Sequence, residues 1–204
     1  MKTMYTGGAV GADTIFEDLA IKSGYTVKAY SFLGHETLSK NRVILSDDDL
    51  KEACEKVAYA ADYLGRKVPL SNSYVYKLLL RNWYQVKNSE IIYAVAELDE
   101  SMWNGKFSWK KGGSVLTFKV AGGTGWAVAM ALLEGKEVCF YDQRTPRWYK
   151  CWRMMDKLVL YYEIYPVPYV KDLPKFPDNF AGIGTRNLNG NGESIIRTLF
   201  NANK

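Results

Sequence analysis

Three times in 204 residues the chain runs from a β-rich stretch through clustered glycines into a segment of helical periodicity. Thr6-Gly7-Gly8-Ala9-Val10-Gly11-Ala12-Asp13 follows the strand-like Lys2 to Thr6, and Ile15, Leu19 and Ala20 then recur at helical spacing. Ala121-Gly122-Gly123-Thr124-Gly125-Trp126 opens a predicted helix, Ala127 to Leu133, which Gly135 ends. Phe180-Ala181-Gly182-Ile183-Gly184-Thr185-Arg186 precedes a last amphipathic helix, Glu193 to Phe200. Glycine lets backbone approach a ligand closely, and the free N–H groups of a helix start attract anions. A single such turn is equally a plain strand-to-helix connection. Three in one chain are much less easily coincidental.

The segments between the turns point to the same architecture. Ala12 to Ser23 reads as a helix closed by Gly24, and Tyr25 to Phe32 alternates as a strand. A βαβ crossover is then complete by residue 32, which favours a parallel sheet with helices on its faces. Leu38 to Asp49 reads as loop, with Ser46 and Asp47 to Asp49 as caps for a helix beginning near Leu50 and carrying Ala53, Val57, Ala60 and Ala61 on one face. Ser71 or Ser73 starts the helix Tyr74 to Val86. Its Arg81-Asn82-Trp83-Tyr84-Gln85 either gathers groups that can hold a nucleotide or forms a solvated face with aromatic anchors. Ile91 to Ala96 has the apolar content of a central parallel strand, whose end would lie at the ligand edge of the sheet. Glu137 to Tyr141 is a further strand, ending in Asp142-Gln143. Asp99 to Val120 breaks the alternation and reads as an inserted β-hairpin; in the aromatic segment Arg144 to Pro168, Leu158 to Ile164 reads as a strand.

Composition bounds the function. The chain is 48% hydrophobic and 24% charged, enough for the core of one domain spanning residues 1–204. No apolar run reaches the roughly 20 residues that cross a bilayer. The first residues lead directly into a polar glycine turn, so neither membrane span nor signal peptide is expected and the location expected is cytoplasmic. Cys54, Cys139 and Cys151 have no CxxC spacing, and His35 is the single histidine. Free thiols are expected, with neither a metal site nor a Ser-His-Asp triad. The net charge of +5 suits anionic ligands but falls short of the concentrated basic patch of a nucleic-acid binder. Six Trp and 15 Tyr supply rings for the core, with a minority facing a ligand.

Taken together, the three turns resemble the SLOG superfamily of Rossmann-like nucleotide-binding proteins, which includes the DNA-processing protein A family and the LOG phosphoribohydrolases. Thr6 to Asp13 resembles the family's SGGAxGAD element, Gly122 to Thr124 with Gly125 its GGxGT element, and Gly182 to Arg186 its GIGSR element. The resemblance does not reach residues 99–120 or 144–168. It implies an α/β, Rossmann-like three-layer sandwich with a mainly parallel sheet, and a homo-oligomer. In most relatives the GIGSR element comes first and here it comes last. That order implies a circular permutation in which Lys204 ends close to Met1.

LOG phosphoribohydrolases use an arginine on a helix and a glutamate in a GGxGTxxE element. Arg81 resembles the arginine, but Trp126 stands where the threonine belongs and Ala129 where the glutamate belongs. Alanine cannot act as general acid or base. Asp13 and Asp142 are the remaining catalytic candidates; Asp13 can equally cap its helix or bond a ribose hydroxyl. The resemblance therefore implies a protein that binds a nucleotide-derived small molecule, an ADP-ribose or cyclic-nucleotide-like signal, with no other cofactor. It would sense or sequester that ligand, a phage anti-defence sponge being one form. In this scheme Thr6, Gly7, Gly8, Ala9, Gly11, Gly122, Gly123, Thr124, Gly125, Gly182, Gly184 and Thr185, with Arg81 and Arg186, hold phosphates. Asn82, Gln85, Asp13 and Asp142 bond ribose or base, and Trp83 or Trp126 stacks. The alternatives are a nucleotide-processing N-glycoside hydrolase and, less favoured by the charge, a single-stranded DNA binder.

Overall fold

The structure, a computed structural model, describes residues 1–99, 119–156, 159–167 and 169–204, with backbone alone for 152–156 and 159–167. Eight strands form one sheet in the order β3-β2-β1-β8-β4-β5-β6-β7. They are β1 (Thr3–Thr6), β2 (Thr26–Phe32), β3 (Arg42–Leu45), β4 (Ile91–Ala96), β5 (Glu137–Asp142), β6 (Arg147–Asp156), β7 (Val159–Val167) and β8 (Asn179–Gly184). From β3 across to β5 all neighbours are parallel; β6 and β7 add an antiparallel hairpin at one edge. The α/β, mostly parallel, Rossmann-like three-layer sandwich is thus the observed architecture.

Among the described residues six helices cover the sheet: α1 (Ala12–Lys22), α2 (Asp47–Glu52), α3 (Cys54–Leu64), α4 (Tyr74–Lys87), α5 (Gly122–Leu133) and α6 (Gly190–Asn201). α1 and α6 bury Phe16, Ile196 and Leu199 on one face with Met4, Tyr93 and Phe180. α2 to α5 bury Leu50, Val57, Trp83 and Val128 on the other, with Ile92, Ala94 and Ala181. β4 shows why its sequence is continuously apolar: Ile92, Ala94 and Ala96 point to one layer, Tyr93 and Val95 to the other.

Several boundaries depart from the sequence expectation for identifiable reasons. Arg42–Leu45, expected as loop, is a strand; it lies at the sheet edge, leaves Ile44 exposed, and its apolar stretch Val43 to Leu45 is only three residues long within a polar segment. The helix expected near Leu50 is two helices meeting at Ala53. The first starts at Asp47 because Ser46 and Asp49 form a reciprocal capping box. α5 begins at Gly122, so the second glycine cluster is the first helical turn and not a loop before it. Close packing requires the last glycine of the cluster, since a Cβ on Gly125 would lie 2.0 Å from the Val120 carbonyl oxygen, and Gly122 has φ +63°. The segment 144–168 is largely the β6–β7 hairpin. The hairpin expected at 99–120 lies outside the described residues except at its ends, where Leu98 bridges Val120 antiparallel and Asp99 N donates to Lys119 O at 3.0 Å.

β8 lies between β1 and β4, where the chain's two directions of travel diverge. From β1 the strands proceed outward through β2 and β3; the chain then returns to the other side of β8 and continues through β4 and β5. Such a reversal leaves a crevice beyond the strand C-termini. At the opposite end, Thr3 N donates to Asp178 O and Phe176 N to Asn203 Oδ1, which brings both ends of the chain to the same end of the sheet.

Candidate functional site

A cleft of about 490 Å³ opens over the C-terminal ends of β1, β8 and β4. Each glycine turn contributes to it: Ala9 and Asp13 from the first, Gly122, Gly123 and Thr124 from the second, Gly184, Thr185 and Arg186 from the third. Arg81, Asn82 and Gln85 of α4 form the facing wall, continued by the aliphatic Val75, Leu78 and Leu79. The size and the mixture of apolar wall and few polar groups are those of a small-molecule site.

The first and third turns are locked together by Asp13. Its Oδ2 accepts from Gly7 N (3.2 Å) and Ala9 N (3.3 Å), and its Oδ1 from Gly184 N (2.9 Å). Gly11 has φ +104° and sits so near the third turn that a Cβ would lie 2.4 Å from the Thr185 carbonyl oxygen; only glycine satisfies both conditions. Burial raises the Asp13 pKa, opposed by the nearby Arg81 charge and the three N–H donors. Both carboxylate oxygens are therefore engaged within the protein, and two N–H groups of the first turn serve Asp13.

Arg81 is 5% exposed and lies over Gly7, where a Cβ would stand 1.4 Å from Nη1. The Gln85 amide, turned to suit its surroundings, accepts from Gly7 N at 3.1 Å and from Arg81 Nη1. Nε of Arg81 is buried without a partner, and Arg81 makes no ion pair among the described residues. Burial lowers its pKa, and Asp13 acts in the opposite direction, followed by Arg186, which lowers it further. His35, 4% exposed and bonded through Nδ1 to Ser31 Oγ at 2.9 Å, is pushed down to about 4 by burial, then by the charges of Arg81, Arg186 and Arg42. Two arginines, Arg81 and Arg186, line the cleft.

Opposite Arg81, α5 presents its N-terminus. Its N-cap, Ala121, offers no side-chain hydrogen bond to the first turn. Asn82 Nδ2 donates to Gly123 O at 3.3 Å, joining the two walls. Arg66 holds the base of this corner, donating to Gly122 O (3.1 Å) and Val120 O (3.1 Å) and pairing with Asp99 (2.9 Å).

Other residues singled out in the sequence lie elsewhere. Thr6 is fully buried at the end of β1, Gly7, Gly8 and Gly11 form the interior of the first turn, and Gly125 and Gly182 pack against Val120 and Phe16. Trp83 and Trp126 are both core residues, and no aromatic side chain lines the cleft among the described residues, so neither is placed to stack on a base there. Asp142 is fully buried and caps the turn after β5, accepting from Arg144 N (3.2 Å) and the Thr145 hydroxyl.

Two residues were missed. Glu97 follows β4 and lines the cleft; its signal was an acid at the very end of the apolar central strand. Gln143, 2% exposed, donates through Nε2 to Glu97 Oε1 (3.3 Å) and Asn187 O (2.9 Å), and its Oε1 accepts from Asn189 N (3.1 Å). Among the described residues no group of three or more His, Cys, Asp or Glu could hold a metal ion, and no helix is long and apolar enough to cross a membrane. Comparison with protein-family models, with curated proteins and with solved structures gives no match.

Proposed function

We propose that the protein binds a nucleotide-derived small molecule and holds it intact, sensing or sequestering it. The observation that carries this reading is Arg81, a buried guanidinium on the cleft wall that makes no ion pair among the described residues and whose Nε has no hydrogen-bond partner. Asp13 offsets this buried charge only in part, its own oxygens being taken by backbone N–H groups, and a phosphate is the anion whose geometry a guanidinium matches. The uncapped start of α5 faces the same space and offers N–H groups to that anion. Val75, Leu78 and Leu79 give a flat aliphatic surface suited to a base. Asp13 and Asp142, the two carboxylates considered for hydrolysis, are both engaged by hydrogen bonds within the protein, which leaves neither free to act as acid or base.

The test is to incubate the purified protein with nucleoside mono- and diphosphates, ADP-ribose and cyclic ADP-ribose-type compounds, remove free ligand, denature and identify what is released by mass spectrometry. Intact ligand near one equivalent per site is the expected result. Release of base and ribose phosphate with repeated turnover would make the protein an enzyme, and retention of oligonucleotide alone would make it a nucleic-acid binder.

A further inference from the structure

We infer that Glu97 recognises the sugar of the ligand by accepting hydrogen bonds from two neighbouring hydroxyls, so that the cleft selects ribonucleotides over their 2′,3′-dideoxy counterparts. The inference rests on the nucleotide reading above and assigns a partner to a side chain that reading leaves without one.

Asp13 and Glu97 are the two carboxylates that line the cleft among the described residues. Asp13 has both oxygens filled by backbone N–H groups. Among the described residues the Glu97 carboxylate has one hydrogen bond, from Gln143 Nε2 to Oε1 at 3.3 Å, with none to Oε2. The side chain stands on a fixed base. Its backbone carbonyl accepts from Ala121 N at 2.8 Å, immediately before α5, and Gln143 is itself held by Asn187, Asn189 and the Ala96 carbonyl. Glu97 is thus a positioned acceptor beside the helix start proposed to hold phosphate.

Charge decides what it accepts from. A carboxylate repels a phosphate and offers only acceptor atoms, so its complement is an uncharged donor. A vicinal diol presents two O–H donors side by side, matching two carboxylate oxygens, and hydrogen bonds to a charged acceptor are the strong kind. Phosphate at Arg81 and α5 with a diol at Glu97 divides the cleft by charge. The same division orients the ligand.

The experiment is calorimetric titration of the four ribonucleoside 5′-monophosphates and of their 2′,3′-dideoxy forms into the wild-type chain and into Glu97→Ala, with melting curves to confirm folding. The expected result is a preference for the ribonucleotide of roughly ten- to hundred-fold, the range of a hydrogen bond to a charged group, reduced to within about three-fold in Glu97→Ala. Equal affinity of ribo and dideoxy forms for the wild type overturns the role of Glu97 and leaves the nucleotide reading standing. No binding of either form to the folded wild type overturns both. The comparison within the wild type needs no variant, so a misfolded Glu97→Ala does not blunt it.

Discussion

Asp13 lies in the first of the glycine turns, and its environment is that of a structural cross-link. Three backbone N–H groups from two turns converge on its carboxylate. Asp13→Asn keeps the shape but turns an NH2 toward at least one of those donors. Loss of charged hydrogen bonds with an unsatisfied buried donor is expected to cost about 2–4 kcal/mol, or about 5–10 °C in Tm for a chain of this length. Thermal melting without ligand measures it, and an unchanged Tm would return Asp13 to the list of free functional carboxylates. His35 supplies a pH dependence whose sign is fixed. Its folded pKa of about 4 lies below the ordinary 6.5, so the unfolded chain binds the proton more readily between those values. Its contribution to stability is present in full above pH 6.5 and is lost as pH falls toward 4, at up to about 1.4 kcal/mol per pH unit. The difference between wild type and His35→Gln in denaturant titrations across that window isolates the effect: the wild type should lose more stability on acidification than the variant.

At the scale of elements, the third turn and α6 depend on one residue at their junction. Asn189 caps α6 by accepting from Gly192 N at 2.9 Å and donates through Nδ2 to Gln143 O at 3.2 Å. Asn189→Ala is expected to cost about 1–2 kcal/mol by loss of the cap and the cross-link, read by chemical denaturation. Such junctions explain what could be read in advance. The strand–turn–helix units were legible because apolar runs, glycines and helical periodicity are local features: β4 matched its expected bounds, and Ser46 and Ser73 capped as expected. β3 was not legible because a four-residue edge strand buries little. Trp126 was misassigned because its side chain's destination depends on how α5 packs against α3 and α4, which periodicity does not encode. Asp142 and Gln143 show the same limit at one position's difference. Asp142 ends β5 and Gln143 follows it, so that Gln143 reaches Glu97 at the cleft while Asp142 folds back on its own turn.

For the whole molecule, β8 completes the centre of the sheet from the far end of the chain, pairing with β1 and β4. Residue 204 and residue 1 emerge at the same end of the sheet, opposite the cleft. A permuted chain opened before Phe176 and joined from 204 to 1 by a short Gly-Ser linker is therefore expected to fold to the same structure and keep the same ligand affinity; circular dichroism and titration check this, and an unfolded product would contradict the topology. The molecule carries a crevice at the reversal of strand order, one wall bearing a buried arginine that makes no ion pair among the described residues, the other a helix N-terminus. Under the proposed function Arg81 holds the phosphate of the ligand, so its removal should abolish binding while the fold is kept. The measurement that tests this most directly is titration of the retained nucleotide into the wild type and into Arg81→Met, with Tm measured on both. The proposal predicts a variant that still melts cooperatively and binds at least about a hundred-fold more weakly. Undiminished affinity in a folded Arg81→Met would contradict it.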